Sequence, residues 1–186
     1  DRKHDLSSYF EIHGVIQDII QMLAMSLDVY TGVVLWYDPA KKTLKIVEAV
    51  SASNTLTSQE FSSDEGVLHS VISKQASIKV VVTQWATNPI GYYHRKEPIY
   101  SLCAVPIVND DVTLGVLAVD RCEEIEFTAE DLEVVKLAAN QIRRAMVNEH
   151  LLRSLDKSQN EYYHLTKASR ALARTLSESE VLEVAL

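Results

Sequence analysis

Apolar positions recur at helical spacing near the start of the chain. Ile12, Val15, Ile16, Ile19, Ile20, Leu23 and Leu27 form a broad stripe, and Ser8 with Glu11 makes a capping box, which predicts a helix over residues 8–27. Two runs rich in β-branched and aromatic residues follow, TGVVLWYD (31–38) and TLKIVEAV (43–50). The PAKK between them supplies a proline break and exposed charge, so the pair is predicted to be a hairpin. Beyond a polar segment, 51–65, the spacing of Val67, Val71 and Ile72 predicts a short helix in GVLHSVISK (66–74). SIKVVVT (77–83) then reads as a third strand. Residues 84–99, QWATNPIGYYHRKEPI, hold two prolines and a glycine that deny regular structure. A segment this long and aromatic inside a compact domain predicts a lid over a site.

The stretch CAVPIVNDDVTLGVLAVD (103–120) holds two apolar runs around a hinge, Asn109-Asp110-Asp111, and predicts a second hairpin. Strand alternation places Leu114, Val116 and Ala118 on one face and Leu117 and Val119 on the other. An antiparallel hairpin normally shows one face to water, so two apolar faces predict cover on both sides. Thr128 as N-cap, with Asp131 three residues on, starts a last helix whose stripe is Leu132, Val135, Ala138, Ile142 and Ala145. Farther along, Leu151, Leu155, Ser158, Tyr162, Leu165, Ser169, Leu172 and Leu176 alternate spacings of four and three. That is a heptad seam, and it predicts a homodimer through a coiled coil with a second copy of the chain. The expected domains are therefore 1–150, globular, and 151–186, a helical linker.

This element order predicts an α+β fold with a central antiparallel sheet. The N- and C-terminal helices are expected on one face, with the short helix and the lid roofing a pocket on the other.

Composition narrows the function classes. With 47% apolar and 24% charged residues, the 186-residue chain reads as soluble and globular. A net charge of −8 speaks against nucleic acid or an anionic membrane surface as partner. No apolar run approaches the roughly 18 residues that span a bilayer, and no secretory signal opens the chain. Cys103 and Cys122 lack metal-ligand spacing, and a reduced cytoplasmic compartment is the expectation.

Residues 101–146, SLCAVPIVNDDVTLGVLAVDRCEEIEFTAEDLEVVKLAANQIRRAM, resemble the C-terminal half of a GAF domain. Val105-Pro106-Ile107, Gly115-Val116-Leu117 and Phe127-Thr128-Ala129-Glu130-Asp131 stand where that family has its strand, its glycine-led strand and its helix entry. The tail from Leu165 to Leu186 is similar to the linker and first helix of another such domain. The resemblance implies a sensory or regulatory module, not an enzyme, which senses a small molecule and relays through helices to an output domain outside these residues. A ligand-free dimerisation module and a GAF-fold methionine sulfoxide reductase are the alternatives it leaves.

Sharper assignments fare poorly on the residues. Family members that bind cyclic nucleotides carry Asn-Lys and Asp-Glu where this chain has Asp120-Arg121 and Asp131-Leu132. Bilin-binding members have a cysteine followed by histidine, whereas Cys103 precedes Ala104. The reductases need loop cysteines, and the lid has none. Lone histidines, His69 and His94, give no metal signature, and no cofactor is assigned. What remains as ligand-binding candidates is Trp85, Tyr92 and Tyr93 to stack or close, His94 and Arg95 to meet an anionic group, with His69 and Cys103 facing the pocket.

Overall fold

The computed structural model describes residues 2–82 and 90–148, with Tyr163 and Lys167; side chains of the first helix are described from Ile12 onward. Trp85 and the seam residues Leu151, Leu155, Tyr162, Leu165, Leu172 and Leu176 lie outside the described residues. The chain divides into two compact units, Asp1–Val147 and Asn148–Leu186.

The first unit runs α1 (Arg2–Leu27), β1 (Thr31–Asp38), β2 (Thr43–Ser51), β3 (Phe61–Ser62), α2 (Val67–Lys74), β4 (Ile78–Val81), β5 (Ser101–Asn109) and β6 (Val112–Arg121). A third helix, α3, covers residues 129–148. Helix α1 begins at Arg2, earlier than the capping box at Ser8 suggested. No proline or glycine interrupts residues 2–7, so nothing there stops the helix. The two-residue strand β3 lies in a segment whose polar composition gave no strand signal. It is added by pairing with β2, Thr43 opposite Ser62 and Leu44 opposite Phe61.

The six strands form one antiparallel sheet in the order β3-β2-β1-β6-β5-β4. Strands far apart in sequence, β1 and β6, pair at its centre, where residues 31–35 of β1 and 115–121 of β6 are buried. One face carries Val34, Cys103, Val105, Ile107, Leu117 and Val119 against Ile16, Ile20 and Leu23 of α1 and Val135, Ala139 and Ile142 of α3. The other carries Val33, Leu35, Leu102, Ala104, Val116 and Ala118 against Leu68 and Val71 of α2 and Ile90, Tyr92, Tyr93 and Ile99. The hairpin of β5 and β6 is thus covered on both sides, as its apolar faces required.

One alternation fails. Leu114 packs with the helix-side cluster, apart from Val116 and Ala118. The register explains it: Ile107 pairs with Gly115 but Val108 with Thr113, so Leu114 is the extra residue of a β-bulge and the faces exchange there. The turn itself is only Asp110-Asp111, with φ of 47° and 63°, while Asn109 still pairs with Val112. Two left-handed residues in a two-residue turn suit the twist of the strands, and aspartate tolerates that conformation.

Arg121 at the end of β6 holds both long helices. Its Nε and Nη2 donate to the Leu27 carbonyl at the C-terminus of α1, at 3.1 and 2.6 Å. Its Nη1 donates to the Glu126 carbonyl and to Asp131 Oδ2, at 3.2 and 3.3 Å. The guanidinium carbon also sits 4.1 Å from the centroid of the Phe127 ring. Thr128 and Asp131 cap α3 reciprocally, at 2.9 and 3.0 Å. His13 Nδ1 meets Glu48 Oε1, joining α1 to β2.

Candidate functional site

Strand alternation turns Asp120, the residue before Arg121, to the face opposite the two long helices. There it is fully buried. Tyr92 and Tyr93, consecutive in the chain, both donate their phenolic hydrogens to its Oδ2, at 2.6 and 2.9 Å. In a regular strand neighbouring side chains would diverge. Here Gly91, with φ of 83°, redirects the backbone, and a bridge from Tyr93 to Leu56 anchors it. The ring centroids end 4.8 Å apart at 47°.

The network continues through hydroxyls. Tyr93 Oη also lies 2.6 Å from Thr31 Oγ1, which meets Ser51 Oγ at 2.5 Å across the β1–β2 ladder. Beside it Glu97 gathers a second set: Oε1 accepts from Ser53 Oγ at 2.8 Å and from Thr55 Oγ1, and Oε2 from Tyr30 Oη at 3.3 Å. Thr55 also accepts the His94 amide hydrogen and Tyr92 the Thr57 amide hydrogen, both at 2.9 Å, so residues 53–57 and 92–97 brace each other.

Asp120 Oδ1 is different. It is buried and makes no hydrogen bond to any described group. Burial pushes the carboxyl up to about 7, while the Tyr92 and Tyr93 hydroxyls and the nearby Thr31 backbone amide pull it back and Glu97 raises it further. Glu97 goes the other way, lowered chiefly by the Thr55 and Ser53 hydroxyls. Both tyrosine hydroxyls are raised by burial and then by the Asp120 charge.

The raised Asp120 predicts how stability depends on pH. Between about pH 4 and pH 7 the folded protein holds a proton that the unfolded chain has released. Its contribution is therefore largest in acid and is lost as pH rises through that window, a change of at most about 4 kcal/mol. Urea midpoints at about pH 5 and about pH 8 should differ more for the parent than for Asp120→Asn, whose amide does not titrate there. Equal differences in the two proteins would contradict the raised carboxyl.

Of the residues singled out by sequence, Tyr92 and Tyr93 are brought together at this carboxylate. His94 and Arg95 follow them with exposed side chains. His69 is exposed on α2, its Nδ1 3.1 Å from the Ser63 carbonyl oxygen. Cys103 belongs to the other face, packed with α1 and α3, because β5 alternation sends Leu102 and Ala104 towards the tyrosines instead. Asp120, Thr31, Glu97, Ser53 and Thr55 had not been singled out as site residues. Only Asp120 left a signal: it is a carboxylate closing an apolar run, in register with Val116 and Ala118 on a face that must be covered. The two thiols are poor nucleophiles, since burial pushes Cys103 up to about 12 and Cys122 up to about 11. Among the described residues no helix is long and apolar enough to cross a membrane, and no group of histidine, cysteine and carboxylate side chains could hold a metal ion.

A family model, the GAF domain, matches residues 11–146. Among solved structures, the GAF domain of an Acinetobacter phosphoenolpyruvate-protein phosphotransferase superposes with a TM-score of 0.62 at 14% identity, covering 80% of this chain and 95% of that one. Residues 122 to 287 of a methyl-accepting chemotaxis protein give 0.60 at 22% identity, covering 76% and 92%. A type II free methionine-R-sulfoxide reductase from Thermoplasma acidophilum gives 0.62 at 16% identity, covering 74% and 94%. A search of curated proteins finds no significant match.

Proposed function

The chain belongs to the GAF family, a sensory and regulatory fold of signalling proteins, and from that premise we propose that it senses a small molecule on the Asp120 face. The reading is carried by one observation: a fully buried carboxylate whose Oδ1 has no partner among the described residues. An unmatched buried acceptor is costly, and a fold that keeps one is poised for a partner from outside.

Signal relay follows from the neighbouring residue. Asp120 and Arg121 sit next to each other on β6 and face opposite sides of the sheet. A ligand that shifts the end of β6 also shifts the donors that hold the C-terminus of α1 and the first turn of α3. Both helices keep apolar side chains in water: Val15, Met22 and Met25 on α1, and Val134 and Leu137 on α3. These exposed stripes support pairing of two copies through the terminal helices, continued by the seam from Leu151 to Leu176, with an output domain beyond. Ligand binding shifts the balance between two packings of that pair only through its differential affinity for them.

A thermal-shift screen of metabolites tests the sensing role. A ligand at a hundredfold excess over its Kd stabilises the protein by about 2.7 kcal/mol. If nothing in a broad library raises the melting temperature, the module serves only to dimerise. Sedimentation equilibrium tests the pairing: Leu165→Glu with Leu172→Glu should yield monomers, and dimers as tight as the parent's would move the interface elsewhere. A reductase role is disfavoured by the raised thiols of Cys103 and Cys122. The chain is accordingly expected to leave free methionine-R-sulfoxide unchanged.

A further inference from the structure

We propose that the molecule taken on this face presents a protonated amine to Asp120 Oδ1. This rests on the sensory reading above and names the chemistry that the site selects.

The two oxygens of Asp120 are not equivalent. Oδ2 accepts both phenolic hydrogens, and Oδ1, equally buried, accepts none from the described residues. Among the described residues, the side-chain hydroxyls converging here are already committed. The Tyr92 and Tyr93 hydroxyls are taken by Oδ2, and the hydroxyls of Ser53, Thr55 and Tyr30 by Glu97. The cation adjacent in sequence, Arg121, faces the helices, where backbone carbonyls and Asp131 hold it. Two acidic side chains therefore share this corner, and Glu97 raises the cost of charge on Asp120. Among the described residues, no positively charged donor meets Oδ1.

Chemistry then separates the ligand classes. A carboxylate or phosphate head would meet two acids and, among the described residues, no uncommitted hydroxyl. An alkyl group would leave the oxygen unsatisfied. A hydroxyl could donate one hydrogen but would not offset a buried charge. An ammonium supplies both, with three donors and a compact charge. Because it pairs with the ionised acid, its binding should weaken as pH falls through the range where Asp120 takes up its proton.

The test uses the 186-residue chain and matched probes: primary alkyl and arylalkyl amines and L-amino acids, each beside the analogue in which hydroxyl replaces the amine. Thermal shift finds responders and calorimetry measures them. The expected result is that at least one amine binds, that its hydroxyl partner binds at least about tenfold more weakly, and that Asp120→Asn loses about the same factor or more. Affinity should also fall between about pH 8 and pH 6. Should Asp120→Asn fold poorly, Tyr92→Phe serves in its place. It removes one donor from Oδ2 and should move the fall in amine affinity to higher pH. Equal binding by a hydroxyl analogue, parent-like affinity in Asp120→Asn, or a pH profile untouched by Tyr92→Phe would each overturn the amine. A metabolite without an amine that binds the parent overturns the amine assignment while leaving the sensory reading intact; silence from every probe and every metabolite overturns both.

Discussion

Arg121→Met should cost the first unit about 3–5 kcal/mol of stability, the usual penalty for removing one partner of a buried, hydrogen-bonded charge pair. Methionine keeps an apolar stem but removes every donor. The Leu27 carbonyl loses two hydrogen bonds, and Asp131 keeps its cap on α3 but loses its cation. With Arg121 only 7% exposed, water cannot simply replace those contacts. For a unit of this size the melting temperature should drop by roughly 10 °C, and the urea midpoint should fall with little change in slope. Arg121→Lys should recover only part of the loss, because an ammonium cannot fork to a carbonyl on one side and to Glu126 and Asp131 on the other. An unchanged midpoint in Arg121→Met would show that the helices are held by apolar packing alone. The signal route proposed through β6 would fall with it.

Gly115→Ala should be of similar severity, for a steric reason. A Cβ built on Gly115 would stand 2.0 Å from the backbone oxygen of Leu35 and 3.1 Å from its carbonyl carbon. Relief requires β1 and β6 to move apart, yet they are the central pair of the sheet, packed on both faces. A loss of about 3 kcal/mol or more is expected, at the upper end of overpacking effects because the clash is with backbone and not with a side chain that could rotate away. Gly14→Ala makes the control. Nothing lies within 4 Å of its added methyl, and in the middle of α1 alanine should stabilise by up to about 1 kcal/mol. Opposite signs for two identical substitutions, read by urea unfolding, would confirm that close approach sets the requirement at position 115. A Gly115→Ala protein as stable as the parent would deny it.

Three residues that carried the family resemblance thereby acquire physical reasons. Gly115 permits the close passage of β6 over β1. Pro106 comes after β5 has lost β4, whose pairing reaches only to Ala104, and a missing backbone donor is tolerated on such an edge. Phe127 is buried beneath the Arg121 guanidinium at the turn into α3.

The hydrophobic pattern by itself determined the elements of the first unit, β3 apart, and their layering. β1 lies where its β-branched run predicted it, β2 extends one residue further, to Ser51, and α2 starts one residue late, at Val67. The doubly apolar run 103–120 announced a hairpin buried on both faces. Such features are local: they follow from periodicity and from the few conformations each residue tolerates, so a single sequence exposes them. Tertiary structure alone decided the rest. The pairing of β1 with β6 joins residues 79 to 89 positions apart, Trp36 with Gly115 and Thr31 with Asp120, and the bulge at Leu114 is a matter of register between strands. The meeting of Tyr92 and Tyr93 on one oxygen of Asp120 depends on a loop whose path no periodicity encodes. The face a side chain takes, and the partner it finds there, depend on contacts between segments distant in sequence. For that reason Cys103 went to the helices and Asp120 became the centre of the site.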